Sequence, residues 1–181
     1  MGRDFYLHED EWGMVSLDPS EVAADRTRVV NEARAHGEAA RAPGGIGYTS
    51  IYVAPPAPVE LSVRGITRAA LDEVLRPAFV PFDRVISGYS SYRETVATAF
   101  ALHRRDAAAG DPTDLPEDVF YGTVRDGVVC SLCVTRATPA LADELHRLGT
   151  RFRLVLTDLW SDTVVDLADR EAVERWCTLV E

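Results

Sequence analysis

Short apolar runs alternate with helical stripes along the whole chain, and turn residues separate them. Asp4 to Leu7 and Glu11 to Leu17 alternate at the period of half-buried strands. Asp18, Pro19 and Glu21 then read as an N-cap, a first-turn proline and a capping-box acid. The helix they open carries Val22, Val29, Val30 and Ala33 on one face, and Pro43-Gly44-Gly45 ends it. Gly47 to Val53 and Val59 to Val63 read as strands on either side of Ala54-Pro55-Pro56-Ala57-Pro58, a stiff connector. Thr67 caps a short helix bearing Leu71, Val74 and Leu75, with Ile66 placed as a hydrophobic staple.

The second half follows the same rhythm. Asp83 to Ser87 is a short strand, and Ser91 with Glu94 predicts a capping box opening a helix whose stripe is Val96, Ala99, Phe100 and His103. Val119 to Val124 and Val128 to Thr135 flank Asp126-Gly127, a strong local hairpin signal. Thr138-Pro139 opens a helix bearing Leu141, Leu145 and Leu148 and ended by Gly149. Phe152 to Leu156 and Thr163 to Leu167 are strands joined across Asp158-Leu159-Trp160-Ser161, and Asp169 caps a last helix with Val173, Trp176, Cys177 and Val180. Strand pairs joined by short turns recur, so the pattern predicts an α+β fold: a mixed, largely antiparallel sheet with about five helices packed on it. At 181 residues the chain is expected to form one domain, residues 1–181.

Composition narrows the chemistry. All 19 basic residues are arginine, so no lysine can serve as a phosphate-loop ligand, a Schiff-base former or a general base. The net charge of −10 opposes nucleic acid and anionic lipid, and it favours a basic protein partner. No apolar run approaches the ~20 residues of a membrane helix, and the N-terminus does not read as a secretory signal. With Cys130, Cys133 and Cys177 read as free thiols, the expected compartment is the reducing cytoplasm. Cys130 and Cys133 have C-x-x-C spacing on a predicted strand, where they read as small core residues, since redox motifs start helices. His8, His36, His103 and His146 are scattered without ligand spacing, and neither metal nor cofactor is expected.

Two kinds of candidate site remain. Gly88-Tyr89-Ser90 follows a strand and resembles part of a G-x-S-x-G nucleophile elbow, with Tyr92 standing where the last glycine belongs. A small serine hydrolase would use Ser90 with a downstream histidine such as His146. A small-molecule-binding domain is a further alternative, with a pocket lined by Tyr48, Tyr52, Tyr89 and Tyr92. The preferred reading is non-catalytic. Glu9, Asp10, Glu11 and Trp12, after His8, and Asp158, Trp160 and Asp162 each set an indole among carboxylates on a predicted turn. That is the chemistry of an immunity or antitoxin-type inhibitor docking a basic partner, an analogy of type rather than of fold.

Overall fold

The structure is a computed structural model that describes residues 3–42, 44, 47–89, 92–106 and 115–179. The chain is α+β, with a large antiparallel sheet. The strands are β1 (Asp4–Leu7), β2 (Val15–Pro19), β3 (Phe79–Pro81), β4 (Arg84–Tyr89), β5 (Tyr92–Thr95), β6 (Ala99–Arg104), β7 (Val119–Arg125), β8 (Val128–Val134), β9 (Leu154–Asp158) and β10 (Thr163–Asp166). The helices among the described residues are α1 (Ala23–Ala39), α2 (Arg68–Leu75), α3 (Ala142–Phe152) and α4 (Arg170–Leu179), four rather than about five. Among the described residues there are two sheets rather than one. Seven strands run in the order β10-β9-β2-β8-β7-β6-β3, and three run β1-β4-β5 with β1 and β4 parallel.

Period-two side-chain alternation explains the layering. In β7, Phe120 points into one core with Phe79, Leu132, Leu145 and Trp176, beneath α2, α3 and α4. Its neighbours Val119 and Tyr121 point the other way, into a second core with Phe5, Leu7, Phe82 and Val85 of the small-sheet side. The rings of Phe5 and Tyr121 lie 5.7 Å apart across this second interface. α1 packs over β9 and β10.

Asp18 is not the expected helix cap. It belongs to β2, and its carboxylate takes Arg26 of α1 at 2.8 and 3.0 Å and the Ser16 and Thr157 hydroxyls at 2.9 Å each. A buried carboxylate with four such bonds is satisfied in place, and it docks α1 onto the sheet. Helical structure starts after it, in a 3-10 turn at Ser20–Val22, and Glu21 pairs with Arg64 instead of closing a box.

The predicted helix after Ser91 is also replaced. Ser91 lies outside the described residues, but Tyr92–Thr95 and Ala99–Arg104 are strands, and β6 sits between β3 and β7. Phe100 and Leu102 face the first core and Ala101 the second, so the run lacks the polar alternation that marks a one-sided strand. Gly47 to Val53 is a strap rather than a strand, and Leu61–Arg64 is a 3-10 turn.

The hairpin at Asp126-Gly127 forms as predicted, with both residues at positive φ, +52° and +77°. Thr67 caps α2 through Ala70 N–H, and Thr138 and Asp169 cap the turns that lead into α3 and α4. Cys133 and Cys177 are buried, and burial pushes each thiol up to about 12. Cys130 is half-buried at a bulge, where β8 carries one residue more than β7.

Candidate protein-docking face

The acidic turn His8–Trp12 is built by its own side chains. Glu9–Glu11 form one 3-10 turn, and Glu11 accepts the backbone N–H of His8 at 2.7 Å. The Tyr121 hydroxyl donates to the Glu11 carbonyl at 2.8 Å, which fixes the turn over the second core. Trp12 is half-buried: its ring meets Tyr121 edge-on at 5.5 Å and its Nε1–H donates to Ser87 Oγ at 2.8 Å. Trp12 therefore joins the turn to β4, and Glu9 and Asp10 carry the exposed charge.

The second turn, after β9, is built around Asp158. Its carboxylate accepts the backbone N–H groups of Trp160 at 2.8 Å and Ser161 at 3.2 Å, the Ser161 hydroxyl, and the Trp176 indole N–H at 3.0 Å. Asp158 is buried, so it is not the rim carboxylate that its neighbourhood suggests. Local Asx-type bonding and the indole of α4 turn it inward. Trp160 is 71% exposed, and Asp162 is half-buried with its backbone at φ +53°.

The two turns meet. Val15 pairs with Asp158 in the β2–β9 ladder, and one step beyond, Leu159 N–H donates to the Met14 carbonyl at 2.9 Å. The β4–β5 hairpin extends this edge. His8 lies edge-on to Tyr89 with ring centroids 4.0 Å apart, and its Nδ1 is 3.6 Å from the Asp10 carboxylate. The hydrogen bond to Asp10 pushes the Tyr89 hydroxyl up to about 12. Arg93 stacks over Tyr6 at 4.3 Å, and Tyr92 is 83% exposed. Among the described residues no arginine bridges Glu9, Asp10, Glu11 or Asp162, whereas most other arginines are paired with acids. The two turns therefore stand side by side at one end of β2 and β9, with Glu9, Asp10 and Trp160 exposed.

The catalytic alternative fares differently. Ser90 lies outside the described residues. Gly88, the glycine of the partial elbow, has a hairpin role: its φ is +133°, and a Cβ there would stand 1.8 Å from the Tyr92 carbonyl oxygen. His146 sits on α3, across the seven-stranded sheet from the β4–β5 hairpin, with Nδ1 3.1 Å from the Leu167 carbonyl. The histidine whose ring meets Tyr89 of the hairpin is His8, which a search downstream of Ser90 misses because it precedes it in the chain.

The four tyrosines proposed as a pocket lining are divided between the strap (Tyr48, Tyr52) and the β4–β5 hairpin (Tyr89, Tyr92). An open groove of about 410 Å³ lies instead beside α2 and α3, lined by Glu73, Val74, His146, Arg147, Thr150 and Arg151. Among the described residues no cluster of His, Cys, Asp or Glu is placed to hold a metal ion, and no helix is long and apolar enough to cross a membrane. No family model matches the chain, and neither a curated protein nor a solved structure does.

Proposed function

We propose that this chain is a non-catalytic protein-binding module, of the immunity or antitoxin-inhibitor type, that docks a basic partner protein on the edge carrying Glu9, Asp10, Trp160 and Asp162. The single observation that carries this reading is the Leu159–Met14 hydrogen bond, which merges two acid-flanked aromatic turns into one edge. Trp160 is the anchor: a rigid indole brings much apolar area to an interface at little rotamer cost and contributes about 2 kcal/mol or more at an interface centre. The unbridged carboxylates supply the long-range field, which decays over ~8 Å at physiological salt and sets the association rate. Trp12, Asp158 and Glu11 act indirectly, by holding the two turns in place.

The test begins with the reading frame beside this gene. Its product is expected to be a basic protein whose toxicity or activity this chain suppresses by direct binding. Asp10→Arg with Asp162→Arg slows association about tenfold and flattens its salt dependence, while Trp160→Ala speeds dissociation. A partner bound equally well by all these variants removes the reading.

A further inference from the structure

The strap between α1 and the 3-10 turn at Leu61–Arg64 has neither helix nor strand from residue 47 to residue 60, and long connections of that kind are uncommon outside functional or linker segments. It is anchored at both ends. On the α1 side, Thr49 N–H donates to the Ala40 carbonyl at 2.8 Å, Ser50 Oγ is 3.0 Å from His36 Nε2, and the Tyr52 hydroxyl donates to Glu32 at 3.1 Å. At the other end Leu61 is buried in the first core.

The stretch between the anchors has unusual properties. From Ile51 to Val59 no backbone group pairs with the backbone of another described residue, the Tyr52 side chain being the last tie to α1. Ile51 is 87% exposed and Val53 83%, and Pro55, Pro56 and Pro58 are exposed as well. The covalent structure dictates its shape. Each proline ring holds φ near −65°, and a residue preceding proline is driven to extended ψ, which applies to Ala54, Pro55 and Ala57. Ala54-Pro55-Pro56-Ala57-Pro58 is thereby biased to the polyproline II helix, whose three-residue turn sets Pro55 and Pro58 on one edge. This is the P-x-x-P spacing that aromatic-lined grooves read, with the backbone carbonyls left free to accept. From residue 42 to residue 63 the strap holds no arginine and one acid, Glu60, so its recognition is apolar rather than ionic.

We infer that residues 51–58 are a polyproline II recognition segment for a partner domain whose groove is lined by aromatic side chains. The pre-ordered conformation lowers the entropy lost on binding, and the proline rings pack flat on aromatic faces. Ile51 and Val53, exposed just ahead of the prolines, reach an adjoining apolar pocket. This inference does not depend on the acidic edge and concerns a different partner chemistry.

The experiment titrates the full-length, 15N-labelled chain with a panel of purified SH3, WW and EVH1 domains. The expected result is saturable binding by at least one domain, with resonance shifts confined to residues 48–60. Pro55→Ala with Pro58→Ala, on an exposed strap, leaves the rest of the spectrum in place and weakens binding by about tenfold or more. Ile51→Asp with Val53→Asp weakens it separately. Asp10→Arg leaves it unchanged, which separates this site from the acidic edge. The inference is overturned if no domain shifts the strap, if the proline variant binds like the wild type, or if the strap shifts only as the chain's own concentration rises, the mark of self-association.

Discussion

The indole of Trp176 donates to Asp158 at 3.0 Å inside the fold, so the carboxylate next to the exposed Trp160 serves the structure. The same carboxylate holds the backbone N–H groups of Trp160 and Ser161. Asp158→Ala leaves the buried Trp176 N–H without a partner and loosens the turn. The expected cost is about 2–3 kcal/mol, read as a lower urea midpoint. Trp160→Ala, two residues on, removes an exposed ring and changes stability by less than about 0.5 kcal/mol. If the two variants lose equal stability, the division between scaffold and anchor is wrong.

Gly149 illustrates how packing overrides a local signal. The chain pattern makes it the end of a helix, yet α3 runs through it to Phe152. A Cβ at Gly149 would stand 2.2 Å from Leu167 Cβ and 2.4 Å from the Leu167 carbonyl carbon. Replacing glycine by alanine within a helix ordinarily stabilises by about 0.5–1 kcal/mol. Here the sign reverses: Gly149→Ala is expected to destabilise by about 1–3 kcal/mol through overpacking, measured by denaturant unfolding. A stabilised variant would show that α3 and the β10–α4 connection part easily.

Gly127 tests the opposite case, in which local chemistry decides. With φ at +77° and nothing within 4 Å of an added Cβ, Gly127→Ala meets no clash and pays only backbone strain. The expected loss is about 1 kcal/mol, with the β7–β8 register unchanged by NMR. A loss of about 3 kcal/mol, the upper end of the range expected at Gly149, would mean that the turn has a packing role as well.

These contrasts explain what the sequence could and could not disclose. Asp126-Gly127 was legible because a hairpin turn depends on two residues' own φ preferences. The caps at Thr67, Thr138 and Asp169 were legible for the same reason. Ser91 with Glu94 misled, since S-x-x-E is local, whereas the state of Ala99–Arg104 is set by β3 and β7 on either side of it. Asp18 misled because its partners, Arg26 and Thr157, come from α1 and β9. The exposure of Trp160 was legible from its turn. The inward aim of Asp158 was not, because it depends on α4, nor was the union of the two acidic turns, because Met14 and Leu159 meet only through the sheet.

A final prediction concerns pH. His103, on β6, is half-buried against the Phe82 ring at 4.7 Å, with Arg3 close by. Its Nδ1 lies 2.8 Å from the Arg104 carbonyl, and the Arg3 guanidinium lies 3.2 Å from Nδ1 and 3.5 Å from Nε2. Burial, with the Arg3 charge adding to it, lowers the imidazole pKa below its ordinary value near 6.5. The fold thus favours the neutral ring, and between the folded and unfolded pKa values the unfolded chain binds more protons. Stability from this group is complete above about pH 6.5 and is lost as pH falls through the lower, folded value. Carboxylates held low by arginine, such as Asp4 and Asp106, act in a separate and more acidic window. His103→Phe keeps an aromatic ring against Phe82 and removes the titration. The urea midpoint of the wild type should therefore decline between pH 7 and pH 5, while that of the variant stays nearly level. Parallel declines in both proteins would assign the acid sensitivity to another group.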